Sequence, residues 1–347
     1  MHLSWVDSPR FIETHYLHLM LYDNHGRIIN YLRLAVTDRC NLRCQYCMPE
    51  CGIDFTAREQ LMTYEELLRV TRIFSKLGIS KIRITGGEPF VRKDLMDFLN
   101  ELSDISEVDQ IHITSNGTLL KGHIQELKSI GIQSINLSLD SLDRDRFYKI
   151  TRRDDLDIVL ENMHALLDAD FKVKINTVVM ADENTEDIIP MLELAREHNL
   201  SVRFLEEMPF NGTGDKLDVI PWTHFDILNH IKTHFPSTKK IVDAPHATAA
   251  NYSIEGFKGS FGIIASYTRT FCGTCNRIRL TPQGMLKTCL YDQGVFNLRD
   301  LIRAGANDHE IETALLDALG HRARDGHEAE RQQRNQPISE SMASIGG

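Results

Sequence analysis

The sequence has 347 residues, 42% of them hydrophobic and 25% charged, with a formal net charge of −10. That composition suits a globular chain able to build one large core plus a smaller appended region, and it excludes extensive disorder. The acidic balance opposes a nucleic-acid backbone, and no apolar run approaches the roughly 20 residues that cross a bilayer, so neither nucleic acid nor membrane is an expected partner.

In chain order, residues 1–20 contain His, Asp, Arg and Glu and lack the basic start and apolar middle of a signal peptide. They read as an N-terminal extension of a cytoplasmic protein, with Met20 as an alternative start. From about residue 30, short β-branched or apolar runs alternate with stretches of helical period. The predicted strands are 31–36, 81–85, 110–114, 134–139, 172–179 and 202–205. Between the first two, Leu67, Val70, Phe74 and Leu77 share one helix face, and Thr63 with Glu66 forms a capping-box pattern at its start. Gly78 and Gly131 each follow a helical stretch where a C-terminal glycine is expected.

Six strand-to-helix units imply a parallel sheet of an α/β protein, either doubly wound or a full or partial barrel. In both arrangements the chemistry gathers where the loops leave the strand ends. Gly- and Pro-containing residues 209–221 predict a linker, and a helix is expected over 223–235. The expected division is therefore 21–235 for the strand-and-helix body and 236–347 for a mixed C-terminal region with a helix over 308–319.

Seven cysteines in a chain expected to stay in the cytosol point to metal binding or catalysis rather than to disulfides. Cys40, Cys44 and Cys47 form C-x3-C-x2-C just after the first strand. Three thiolates on one loop can hold a [4Fe–4S] cube with one iron left open for a small molecule. Cys51 would close the set as a fourth ligand, as in an electron-transfer cluster; the alternative is a free, buried thiol turned away by Pro49. After the second strand stands Gly86-Gly87-Glu88-Pro89. Adjacent glycines let backbone approach a ligand and a following acid can accept from an ammonium group, although such a run also suits a plain tight turn.

Cys272, Cys275 and Cys289 form a second triad, open to two readings: another three-thiolate cluster, or a zinc site completed by a further ligand. Arg277 and Arg279 alternate along a predicted strand over 276–280 and point to one face, as a site for an anion beside the triad requires.

The pattern Cys44-Gln45-Tyr46-Cys47, with the first triad and the Gly-Gly-Glu-Pro run, resembles the radical S-adenosylmethionine superfamily. Together with residues 31–40, the 81–89 run, the second triad with its Arg-x-Arg, and the terminal Gly346-Gly347, it resembles the GTP 3′,8-cyclase family of molybdenum cofactor synthesis. The resemblance implies a partial (β/α)6 TIM-like barrel with a C-terminal α+β region carrying a second cluster. It also implies two [4Fe–4S] clusters on the two triads, S-adenosylmethionine as cosubstrate and GTP as substrate.

By the same resemblance, Tyr46, Gly87, Ser138, Arg203 and Met208 contact S-adenosylmethionine, and Arg33, Arg83, Thr114, Lys174, Arg277 and Arg279 contact GTP. Arg277, Arg279, Gly346 and Gly347 are implied catalytic positions, the tail reaching into the site. The implied partners are a low-potential electron donor and a downstream cyclic pyranopterin monophosphate synthase, and the resemblance admits a homodimer.

Overall fold

The computed structural model describes residues 20–213, 220–332 and 340–346. The predicted extension, apart from Met20, and the terminal Gly347 lie outside the described residues, as do 214–219 of the predicted linker.

Strands β1 (Tyr31–Ala35), β2 (Lys81–Thr85), β3 (Gln110–Ser115), β4 (Ser134–Ser138), β5 (Lys172–Val179) and β6 (Ser201–Glu206) pair in parallel, each with the next. These six match the strands expected from the alternation in the sequence to within two residues at each end. The C-terminal part contributes β7 (Lys239–Lys240), β8 (Ala249–Ser253), β9 (Ser260–Ile264), β10 (Arg277–Leu280), β11 (Met285–Lys287) and β12 (Phe296–Asn297). Rather than forming a sheet of their own, these strands continue the first one at both edges: β9 lies parallel to β6 and β10 parallel to β1. The outer pairs are antiparallel hairpin-type additions.

Period-two alternation then sorts side chains to opposite faces of this curved sheet. Leu32, Leu34, Ile82 and Ile84 are fully buried on the outer face in the main hydrophobic core. Helices Tyr64–Lys76, Leu95–Ser103, Leu156–Asp168 and Ile188–Glu197 bring their apolar stripes to the same core. Tyr31, Arg33, Lys81 and Arg83, one residue out of phase, face the interior cavity. The capping box at Thr63 and Glu66 is formed in both directions, and a second one opens His224–His234. Such caps contribute about 1 kcal/mol each.

Candidate active site

All six cysteines of the two triads line one cavity of about 490 Å³ enclosed by the sheet. Eight basic side chains line it as well: Arg33, Lys81, Arg83, Lys174, Arg203, Arg269, Arg277 and Arg279. Among the described residues, no Asp or Glu lines it. A protein of net charge −10 thus concentrates positive charge in one internal space. Strand register explains the concentration, since Arg33 on β1 lies beside both Arg279 on β10 and Arg83 on β2, and Tyr31 lies beside Arg277 and Lys81.

These cations keep their order partly through one phenol. The Tyr31 hydroxyl accepts from Arg83 Nε, and its ring has Lys81 Nζ at 5.0 Å and the Arg277 guanidinium at 5.8 Å from its centroid. Burial opposes ionisation of Tyr31, but Arg83 and Arg33 outweigh it and bring the phenol down to about 7. Burial and the neighbouring Arg203 and Arg83 likewise bring Lys174 down to about 8.

The first triad sits on the loop after β1. That loop is pinned from outside: Arg43 N–H donates to Thr151 O at 2.9 Å, and Arg152 Nη1 donates to the carbonyls of Arg43 at 2.7 Å and Met48 at 3.1 Å. Tyr46 donates its hydroxyl to Asp140 Oδ2 at 2.8 Å, and Asp140 Oδ1 accepts from Val178 N–H at 2.8 Å, which fixes the aromatic between Cys44 and Cys47. Burial pushes the Asp140 carboxyl up to about 6. Burial, reinforced by Glu88, pushes the Cys40 thiol up to about 11, and burial with neighbouring thiols pushes Cys44 and Cys47 up as well. Thiolates placed here call for a cationic partner, as iron would provide, and none of the three is in a disulfide. The donor set therefore fits a three-thiolate cluster.

One expectation about neighbouring residues is corrected, that for Cys51, and the Gly-Gly run, which lines the cavity, has a packing role besides. The Gly86 and Gly87 backbone approaches the chain's own cysteine loop: Gly87 N–H donates to Thr37 O and Glu88 N–H to Arg39 O, both at 2.8 Å. A Cβ on Gly87 would lie 2.6 Å from the Arg39 carbonyl carbon and 2.8 Å from Asp38 O, so only glycine permits the two strand-end loops to meet. Glu88 is fully buried, and its carboxylate is engaged by groups of the chain itself. It accepts from Asn116 N–H at 2.6 Å, Ser115 Oγ at 2.9 Å and Phe90 N–H at 3.2 Å, tying the ends of β2 and β3 together. Cys51, expected to be buried, is exposed, because a turn closed by Gly52 N–H to Pro49 O at 2.9 Å carries it outward.

The second triad is braced from behind. Arg27 pairs with Asp23 at 2.6 Å and donates Nη1 to Cys272 O at 3.2 Å; Asp292 Oδ2 accepts from the N–H groups of Thr288 at 2.8 Å and Cys289 at 2.7 Å. Burial, with Asp292 adding to it, pushes Cys289 up to about 12. For Cys275, burial is outweighed by Arg277 and Arg322, and the thiol comes down to about 7.

The tail enters the same space. Residues Ser341 and Asn211 form a bridge, Met342 N–H donates to Phe210 O at 2.8 Å, and Ser341 Oγ donates to Cys47 O. The fully buried Lys287 pairs with Glu340. Gly346 then reaches Arg279, whose Nη1 donates to its carbonyl at 2.8 Å.

Comparison with known proteins gives this geometry a family. Residues 34–195 match the radical SAM superfamily and residues 200–328 match Molybdenum Cofactor Synthesis C. The chain is 42% identical over 306 residues to a GTP 3′,8-cyclase of Syntrophomonas wolfei, covering 86% of this chain and 92% of the relative. It belongs to the GTP 3′,8-cyclase family.

Another family relative, the GTP 3′,8-cyclase of Clostridium perfringens, is 41% identical over 302 residues, 86% of this chain and 91% of that one. With Molybdenum cofactor biosynthesis protein 1 of Drosophila melanogaster the identity is 40% over 300 residues, covering 86% of this chain; here the chain spans 52%, about half, of the relative's length. Streptococcus suis SuiB bound to S-adenosylmethionine has a TM-score of 0.58 at 13% identity, over 83% of this chain and 69% of that one. This shared fold is the TIM-like partial barrel expected from the resemblance.

Within it, the residues assigned by resemblance to the two ligands line one cavity. Of the S-adenosylmethionine set, Tyr46, Gly87 and Met208 lie on loops, Ser138 ends β4 and Arg203 lies within β6; of the GTP set, Arg33, Arg83, Thr114, Lys174, Arg277 and Arg279 all lie on strands. Thr114 on β3 accepts from Arg83 Nη1 at 3.3 Å. Sequence reasoning missed Tyr31, Lys81, Asp140 and Arg322. Tyr31 and Lys81 carried a usable signal, since both share the parity of Arg33 and Arg83 along their strands. Nothing local in the sequence marks Asp140 or Arg322 as neighbours of cysteines far away in the chain.

Proposed function

We propose that this chain is a GTP 3′,8-cyclase that converts GTP to 3′,8-cyclo-7,8-dihydro-GTP in molybdenum cofactor synthesis, with a [4Fe–4S] cluster on each triad. The observation that carries the reading is the one cavity shared by two cysteine triads and eight cations, with no carboxylate lining it among the described residues. When bound, the first cluster and S-adenosylmethionine supply a 5′-deoxyadenosyl radical, chemistry that belongs to the cofactor rather than to the protein.

The residues of the chain supply the rest. Tyr46, Gly87, Ser138, Arg203 and Met208 hold S-adenosylmethionine beside Cys40, Cys44 and Cys47. Arg33, Arg83, Thr114 and Lys174 hold the triphosphate by charge-assisted hydrogen bonds, strong here because the strands around them exclude water. Arg277, Arg279 and the Gly346-Gly347 tail would orient the nucleoside next to the second triad. Orientation of this kind is where a barrel interior lowers the barrier most.

A cluster on Cys272, Cys275 and Cys289 is favoured over a closed zinc site because these three thiols open onto the same cavity as the first triad. In this reading residues 21–235 supply the first triad and 236–347 the second. The enzyme works in the cytoplasm with a low-potential electron donor and passes its product to a cyclic pyranopterin monophosphate synthase.

The test is anaerobic reconstitution followed by incubation with dithionite, S-adenosylmethionine and each nucleoside triphosphate in turn. Formation of 5′-deoxyadenosine stimulated by GTP alone is expected. Equal stimulation by ATP, CTP or UTP would overturn the assignment of substrate.

A further inference from the structure

Arg322 is not among the lining residues of the cavity, yet it makes five hydrogen bonds at the second cysteine site. It is 4% exposed. Its Nε donates to Thr288 O at 2.9 Å; Nη1 donates to Asp23 Oδ2 at 3.1 Å and Cys275 O at 3.0 Å; Nη2 donates to Arg277 O at 2.9 Å. The remaining contact is to sulfur: Nη2 stands 3.3 Å from Cys275 Sγ. Arg277 Nη1 approaches the same sulfur at 3.6 Å. One thiol thus faces two guanidiniums, while the single carboxylate among them, Asp23, is shared between Arg322 and Arg27.

The first triad has a different environment. The donor at Cys40 Sγ is neutral, the Asn116 amide at 3.6 Å, and the Tyr46 phenol beside Cys44 gives its proton to Asp140. Its nearby guanidinium, Arg43, donates to the backbone carbonyls of Cys40 and Leu42. The buried acids Asp140 and Glu88 stand on its other sides. Acids also stand near the second triad, Asp292 by Cys289 and Asp325 by Cys272, so the difference between the sites is local: Cys275 Sγ has two guanidiniums at hydrogen-bond distance, whereas Cys40 Sγ has a neutral amide.

Reduction of an iron–sulfur cluster adds negative charge, part of it on the ligand sulfurs, so a cationic donor at a sulfur stabilises the reduced form and raises the potential. We propose that Arg322 is a positioning residue that sets the reduction potential of the cluster on Cys272, Cys275 and Cys289, holding it above that of the first cluster through its charged hydrogen bond to Cys275 Sγ. The proposal rests on the reading that this triad holds a cluster. Its consequence is that the second cluster is the better electron acceptor of the two.

The experiment is a potentiometric titration of the reconstituted full chain followed by electron paramagnetic resonance, with iron and sulfide counted on each sample. The first cluster's signal is identified by its change on adding S-adenosylmethionine. Arg322→Gln is expected to move only the second cluster's potential to more negative values, and Arg322→Lys, which keeps the charge, to restore part of the shift. Asp23→Asn, which removes the counter-charge and leaves Arg322 in place, is expected to move it the opposite way. An unchanged potential in Arg322→Gln at full iron content overturns the proposal. Should Arg322→Gln fail to load, an unshifted potential in Asp23→Asn overturns it instead. Wild-type protein holding the iron of one cube only would refute the underlying reading, a result distinct from two cubes with insensitive potentials.

Discussion

Arg279 holds the end of the chain by its backbone: Nη1 donates to the Gly346 carbonyl at 2.8 Å, while a Cβ on Gly346 would come within 2.5 Å of Thr85 Oγ1 and 2.8 Å of Ala35 Cβ. Gly346 also has φ +77, which other residues adopt only with strain. The tail is therefore seated between the ends of β1 and β2 by size and conformation as well as by one hydrogen bond.

Deleting Gly346-Gly347 is expected to leave the fold and both clusters intact while lowering cyclisation at least about tenfold, the worth of one charge-assisted hydrogen bond. Iron content, thermal midpoint and product formation are the three readouts. Full product formation by the truncated chain would contradict the role given to the tail.

Gly87→Ala tests the contact between the two strand-end loops. The added methyl meets backbone rather than a flexible side chain, so the cysteine loop itself must shift. Loss of about half of the iron is expected, the share of one of two equal cubes, together with S-adenosylmethionine binding. A variant with full iron would show that the loops tolerate separation.

Glu88→Gln replaces an acceptor of three hydrogen bonds with a group that can accept at one atom only. A loss of about 1–3 kcal/mol in stability is expected from the unsatisfied buried donors. Denaturant unfolding of the reconstituted protein measures it.

Lys174 supplies a pH dependence. Its ammonium, depressed to about 8 by burial and by Arg203 and Arg83, loses its charge as pH rises past that value rather than above 10. A triphosphate held in part by Lys174 must then bind less tightly, so the KM for GTP is expected to climb between pH 7.5 and about 9, the range set by that pKa. Lys174→Arg should abolish the inflection, since a guanidinium stays charged. A flat KM profile in the wild type would remove Lys174 from the triphosphate site.

Cys51→Ser should leave iron content and activity within about twofold of wild type, the range ordinary for an exposed site away from the chemistry. Cys44→Ala, by contrast, should abolish S-adenosylmethionine cleavage.

Much of this was legible in the sequence because it is local. The strands could be read from short β-branched runs, the helix starting after Thr63 from its capping box, and both triads from their spacing. Parity along β1 and β2 carried the inward face of the barrel. What escaped is non-local. Glu88 looks free in sequence because its three donors come from Phe90, Ser115 and Asn116, and only the packing of β2 against β3 brings the latter two near. Arg322 meets Cys275 through a loop 47 residues away. The joining of β9 and β10 to opposite edges of one sheet could not be read from elements that are themselves four or five residues long.

The most direct test is isotopic: anaerobic turnover of GTP deuterated at ribose carbon 3′, with mass analysis of the 5′-deoxyadenosine formed. Transfer of deuterium into 5′-deoxyadenosine, with formation of the cyclised product, is the predicted result. Unlabelled 5′-deoxyadenosine under full turnover would mean that the ribose does not stand where the cations and the two triads are proposed to hold it.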